Sequence, residues 1–273
     1  MQCFLPLLCS LFCALLSSAE GVTYWVKGVS PTAGWQDANK TLENDRSLCW
    51  AATSANMLAW WQERNPEATA ASAAPRGLGA IWESLRNGFE DGGGETYNTL
   101  VWWFKGGELP SAMHRTPSGM LLGGYHAEAL AGTAFPASDI IREEPRSGMS
   151  ARLKELLAQG YAVGIGIRRI DKELHLLPHW HMLSLWGIEY DEERQCVTRV
   201  YLTDSDDVAG EWPRYQRGLF AADAIECPMK DDNGRTFTGL ILRNRVGWFK
   251  ANAVITTLIG LHEHATAETS GRE

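Results

Sequence analysis

Past its first nineteen residues the sequence has no apolar run long enough to cross a bilayer as a helix, which needs about 20 residues, and it has no basic stripe. With 25 Lys and Arg against 33 Asp and Glu and a net charge of −8, the chain lacks the electrostatic footprint of a general nucleic-acid binder. Internal repeats are absent as well, which removes the solenoid and propeller architectures. Cysteine is scarce: of six, Cys3, Cys9 and Cys13 fall in the N-terminal apolar run, which leaves Cys49, Cys196 and Cys227. An odd number in an exported protein flags one thiol as free or paired between molecules. Pairing of Cys196 with Cys227 would leave Cys49 over, although spacing alone does not decide connectivity.

What is present starts with MQCFLPLLCSLFCALLSSA, residues 1–19. It ends in small residues, with Ser17 and Ala19 at the minus-three and minus-one positions of a cleavage site, and reads as a secretory signal peptide to be set apart from the fold. The expected domain organisation is a signal over 1–19, one domain over 20–265 and a flexible tail over 266–273. Export to the extracellular space, or alternatively to the periplasm, follows from the leader, with no membrane segment in the mature form. Oligomeric state is not legible.

Alternation in VTYWVKGVSPTAGW predicts a strand and then a turn at Pro31 and Gly34. Trp50, Ser54, Met57, Leu58 and Trp61 recur at three- and four-residue spacing, which predicts a helix over 49–65, capped by Ser47 and stopped by Pro66. Stripes at Ile81, Trp82, Leu85 and Phe89, and at Leu100, Trp103 and Phe104, predict helices over 80–89 and 96–104, separated by the glycines at 92–94. Residues 105–145 read as loops. A helix over 150–159, with Ser150 as cap and Gly160 as stop, precedes strands at 161–169, 181–190, 196–204, 237–244 and 253–261. A helical first part followed by antiparallel strands predicts an α+β fold with two lobes.

The chemistry concentrates in HMLSLWGIEYDEERQCVTRVYLTDSDD, residues 181–207. Two alternating runs flank the polar DEERQ, which predicts a hairpin turning near residue 193. His181 then faces position 205, with Asp204 and Asp206 on either side. An imidazole beside carboxylates is what a thiol nucleophile needs, because the imidazole takes and returns the proton while the carboxylate holds its tautomer. Cys49, at a helix N-terminus, is the candidate thiol, since the helix dipole and a nearby imidazolium both favour thiolate. Its amide, together with Lys40 or Asn39 just upstream, could form an oxyanion hole.

Each residue also has a plainer role. A cysteine before tryptophan in a helix is commonly a small core residue, TDSDD could be a solvated turn or a calcium site, and His175, His179 and His181 in HLLPHWH could be metal ligands, although Pro178 breaks helical spacing. His262 and His264 sit near the tail, and the twelve tryptophans are expected to be core anchors.

The blocks VTYWVKGVSP, NKTL followed by LCWAATSANMLAWW, HMLSLWG and YLTDSDD resemble the secreted Mac/IdeS-type immunoglobulin-degrading cysteine endopeptidases of bacteria. The resemblance implies a papain-like two-lobed α+β fold and no cofactor or metal. It also implies an immunoglobulin substrate cut in the heavy-chain hinge region. By the same resemblance Cys49 is the nucleophile, His181 the general base and acid, Asp204 the orienting carboxylate, Asp206 a second supporting acid and Lys40 the oxyanion-hole contributor. The hairpin register points to the same histidine and aspartates. The segment between Cys49 and His181 is shorter than in the IgG-cleaving members. Peptidase or acyl-transfer chemistry on another protein, and a non-catalytic immunoglobulin-binding scaffold, are the two rival readings.

Overall fold

A computed structural model describes residues 21–41, 43–111, 123–128, 139–206, 218–243 and 252–263. The expected leader, the tail and His264 lie outside them. Eight strands are described: β1 Val22–Trp25, β2 Ile140–Glu143, β3 Tyr161–Ile170, β4 Leu176–Asp191, β5 Cys196–Thr203, β6 Phe220–Lys230, β7 Thr236–Leu242 and β8 Ala253–His262. The helices are α1 Cys49–Arg64, α2 Pro66–Ala70, α3 Gly77–Gly88, α4 Thr96–Lys105 and α5 Met149–Ala158.

Every strand pairing is antiparallel. The order β4-β3-β8-β7-β6-β5 closes on itself because β5 also pairs with β4, so six strands form a barrel, with β1 added beside β4 and β2 beside β8. Closure removes the exposed edges that an open sheet would have to protect. Alternation along β3 and β4 puts Ile165, Ile167, Leu183 and Leu185, all fully buried, on the face turned away from α1. Burying each such side chain contributes about 1.5–3 kcal/mol.

This architecture corrects the expected fold class. The chain is not a papain-like two-lobed α+β protein with a helical N-terminal lobe: it is mostly strand, with few helices, around one closed antiparallel barrel. The first described strand, β1, already belongs to the sheet that the last one, β8, helps to close. Moreover α1 rests on the barrel: Asn56 donates to Ser184 Oγ at 2.9 Å, and every residue from Trp50 to Gln62 is buried. A helix covered on all sides carries little polar face, and the remaining cover comes from aromatic contacts of Trp50 with Phe89 and of Trp61 with Phe104 of α4. Hydrophobic period identified the elements, but whether a row of strands closes depends on pairings far apart in sequence.

Several local expectations change as well. Neither Ser47 nor Ser150 caps a helix. Leu48 and Gly148 occupy those positions without a side-chain cap, while the Ser47 amide donates to Asp91 and Ser150 Oγ accepts from the Val197 amide. Pro66 ends α1 by opening α2 at its first position, where its missing N–H costs nothing.

The approach of α1 depends on Gly164 of β3, where an added Cβ would stand 3.0 Å from Thr53 Cγ2 and 3.2 Å from Met57 Sδ. Gly164→Val should therefore push α1 off the barrel and cost about 1–3 kcal/mol in urea unfolding. Adding Met57→Ala should recover part of that loss, and an unchanged midpoint for Gly164→Val would show that the seat is not tight.

Candidate active site

Cys49 is the first residue of α1, between Leu48 and Trp50, both buried. Trp50 is pinned by its indole N–H to the Gly92 carbonyl at 3.0 Å, and a side chain at Gly94 would run into its ring. Gly94 thus lets the chain pass flat against the tryptophan. So held, Cys49 sits half-buried at the helix start, where first-turn N–H groups have no intrahelical acceptor and the dipole end is positive.

His181 comes from β4, opposite Ile167 of β3. On the other side β5 pairs up to Ser184↔Thr203 and then turns away, delivering Asp204, Ser205 and Asp206 beside the histidine. The register lies one residue beyond the expected one, with irregularities at Leu185/Gly187 and Glu189/Tyr190, so its continuation faces His181 toward Asp206. Both carboxylates remain in reach. His181 Nε2 is 2.7 Å from Asp204 Oδ1 and 3.6 Å from Asp206 Oδ2, and His181 and Asp204 are almost fully buried. Asp204 Oδ1 also accepts the Asp206 amide at 2.9 Å. With Nε2 on Asp204, Nδ1 is the nitrogen left to share a hydrogen bond with the Cys49 thiol.

Lys40 is buried beneath this pair. Its ammonium donates to the Arg46 carbonyl at 2.5 Å and forms an ion pair with Asp206, while its own amide donates to Ser205 O at 2.8 Å. Lys40 therefore ties the segment upstream of Cys49 to the segment carrying the two aspartates. Asn39, the other upstream candidate, directs its amide to Asp37 O and Oδ2 at 3.2 and 3.0 Å.

These contacts set the protonation. Burial pushes the Cys49 thiol up, but the hydrogen bond and charge of His181, the charge of Lys40 and the Met182 amide outweigh it and hold the pKa below the ordinary thiol value. Burial pulls His181 down, yet Asp204 and Cys49 raise it well above the usual imidazole range. Burial likewise pushes Asp204 up, and His181, the Asp206 amide and Lys40 bring it below the usual carboxylate value. All three shifts work toward a thiolate beside an imidazolium beside a carboxylate, an arrangement able to attack an acyl carbon and to protonate a leaving group.

All five sequence-predicted residues, Cys49, His181, Asp204, Asp206 and Lys40, thus meet in one place. The Met182 amide at the sulfur is an additional participant that no side-chain pattern could reveal. The alternative metal ligands do not gather: among the described residues His175 groups with Asp171 and Glu173, whereas His181 groups with Asp204 and Asp206. In the second group Asp206 already faces the Lys40 ammonium, so a cation there would have to displace it. His262 shares a hydrogen bond with the Gln159 carbonyl through Nε2 at 2.8 Å, away from the site. Cys196 and Cys227 are free thiols, as is Cys49, and the pairing left open by the sequence is not made.

Comparison with known proteins adds two findings. The family model described as Mac 1 matches residues 17–73, the segment that holds Lys40, Cys49 and all of α1. A protein named IgM protease, from Streptococcus suis (strain P1/7), is 24% identical over 206 residues, which is 64% of this chain and 18% of that protein. The chain thus matches less than a fifth of that relative's length. The Mac 1 match and the streptococcal relative together support assignment of the chain to the Mac/IdeS-type family.

Proposed function

We propose that the chain is a cysteine endopeptidase whose substrate is an immunoglobulin heavy chain, cut in its hinge region. The observation that carries the chemistry is the buried relay from Asp204 through His181 to the Cys49 thiol. The thiolate attacks the peptide carbonyl, and the negative oxygen that develops is met by the Cys49 amide, which the helix leaves without an acceptor. Lys40 adds positive charge from below. Collapse of the tetrahedral species breaks the C–N bond, with the imidazolium proton passing to the amine, and leaves a thioester on Cys49. The now neutral His181 takes a proton from water, the hydroxide equivalent attacks the thioester, and the acid and the thiolate–imidazolium pair are regenerated. Asp204 keeps the ring oriented throughout and supports its charged form, and Asp206, held by Lys40, supports it from a second side.

The substrate assignment rests on the name of the streptococcal relative and on the family resemblance. Secretion belongs to the same reading, since an antibody is met outside the cell.

Two measurements test it. Purified protein under mild reduction should cut intact IgM, IgG or IgA at one discrete heavy-chain site, and Cys49→Ala, folded as judged by circular dichroism, should not. Equal cleavage by that variant would remove the nucleophile. Separately, the rate of Cys49 alkylation by iodoacetamide against pH should have its midpoint below that of an ordinary thiol. In Asp204→Asn that midpoint should move to higher pH, because the loss of the carboxylate lowers the His181 pKa and with it the support for thiolate. Peptide cleavage by Asp204→Asn should fall by roughly 10²–10⁴-fold, and a midpoint insensitive to this substitution would break the proposed coupling.

A further inference from the structure

Of the tryptophans the structure describes, Trp180 alone is exposed, at 60%, while the others are buried or half-buried. An open indole of that size is a large apolar surface left in water, and its position is informative. Trp180 lies on β4 immediately before His181, opposite Arg168 of β3. The Arg168 guanidinium stands 5.0 Å from the ring centroid. Arg168 is itself buried and fixed, with contacts of 2.8 and 3.3 Å to the two Asp232 oxygens and 3.1 Å to the Leu177 carbonyl. The indole therefore has a rigid cationic backing.

Its direction follows from strand alternation. Trp180 shares a face of β4 with Met182 and Ser184, and Ser184 bonds Asn56 of α1, so this is the face on which α1 lies. Cys49 begins α1 at the Met182 amide. Trp180 is two residues further along, about 7 Å at the usual strand rise, beyond the helix start. Trp180 is thus the open side chain next to His181 on the strand that meets the start of α1, one residue from the group that a substrate carbonyl must approach.

We infer that Trp180 is a specificity-determining residue that packs against an apolar or proline side chain of the substrate next to the scissile bond. This inference rests on the peptidase reading of the Cys49 site. An indole face offers apolar area in a rigid frame, and the guanidinium already stacked on it discourages a second cation, so lysine and arginine are disfavoured at that substrate position.

The test compares wild type, Trp180→Ala and Trp180→Phe on intact IgM and on a peptide library, with iodoacetamide alkylation of Cys49 and urea unfolding measured alongside. Trp180→Ala should lose roughly tenfold in kcat/KM, mainly through KM, and should lose the apolar preference at one substrate position. Trp180→Phe should restore most of both, while alkylation rate and unfolding midpoint stay at wild-type values in each variant. Unchanged kcat/KM and cleavage profile in Trp180→Ala, with an active wild type, would overturn the inference alone. A wild type that alkylates normally but cuts neither substrate would overturn the peptidase reading, and this inference with it.

Discussion

The distance at which α1 can lie on β3 and β4 sets everything else in the site. Gly164 leaves room for Thr53 and Met57, and the bond from Asn56 to Ser184 fixes the helix along β4. Together they bring the first residue of α1 to the strand that carries His181. Cys49 and His181 come from elements more than a hundred residues apart in sequence, and neither element is a flexible loop. A helix buried along nearly its whole length and a strand inside a closed barrel hold geometry more precisely than a surface segment could.

Electrostatics completes what packing begins. Asp204 brings a carboxylate into an almost fully buried spot and Asp206 a second, half-buried one beside it, and the Lys40 ammonium, paired with Asp206, balances only one of them. Buried charge without a partner is costly, so the site draws a second positive charge, which His181 supplies by holding a proton. The His181 charge, the Met182 amide and the helix end in turn hold the Cys49 pKa down, which favours passage of the thiol proton to the ring. The same asymmetry explains why the Cys49 and His181 pKa values move in opposite directions. Lys40 acts both as a structural tie between two segments and as a source of field at the sulfur.

Local structure and the site were legible in the sequence to different degrees. The helices α1, α3, α4 and α5 announce themselves through three- and four-residue spacing, and the hairpin of β4 and β5 through alternation around DEERQ. That hairpin sufficed to bring His181 to its aspartates even with the register one residue off, because carboxylates at 204 and 206 flank either solution. Two strands were not visible. In β6, FAADAIECPMK is half-buried along most of its length and carries Asp, Glu, Pro and Lys, so no clean alternation survives. In β2, four residues fall within a stretch rich in Gly, Pro and Ser. Missing β6 also hid the closure of the barrel, since it links β5 to β7, and without it the helical first part looked like a lobe of its own. The capping serines misled for a local reason: other groups claim Ser47 and Ser150.

The central claim is that Cys49 and His181 rest as an ion pair oriented by Asp204. Nitrogen-15 NMR of labelled histidine tests it most directly, observing the His181 ring at neutral pH in the wild type and in the Cys49→Ala variant. The account predicts a ring protonated on both nitrogens in the wild type, which becomes neutral at a lower pH once the thiolate is removed. A His181 ring that is neutral at pH 7 in the wild type, with signals indifferent to the loss of Cys49, would contradict it.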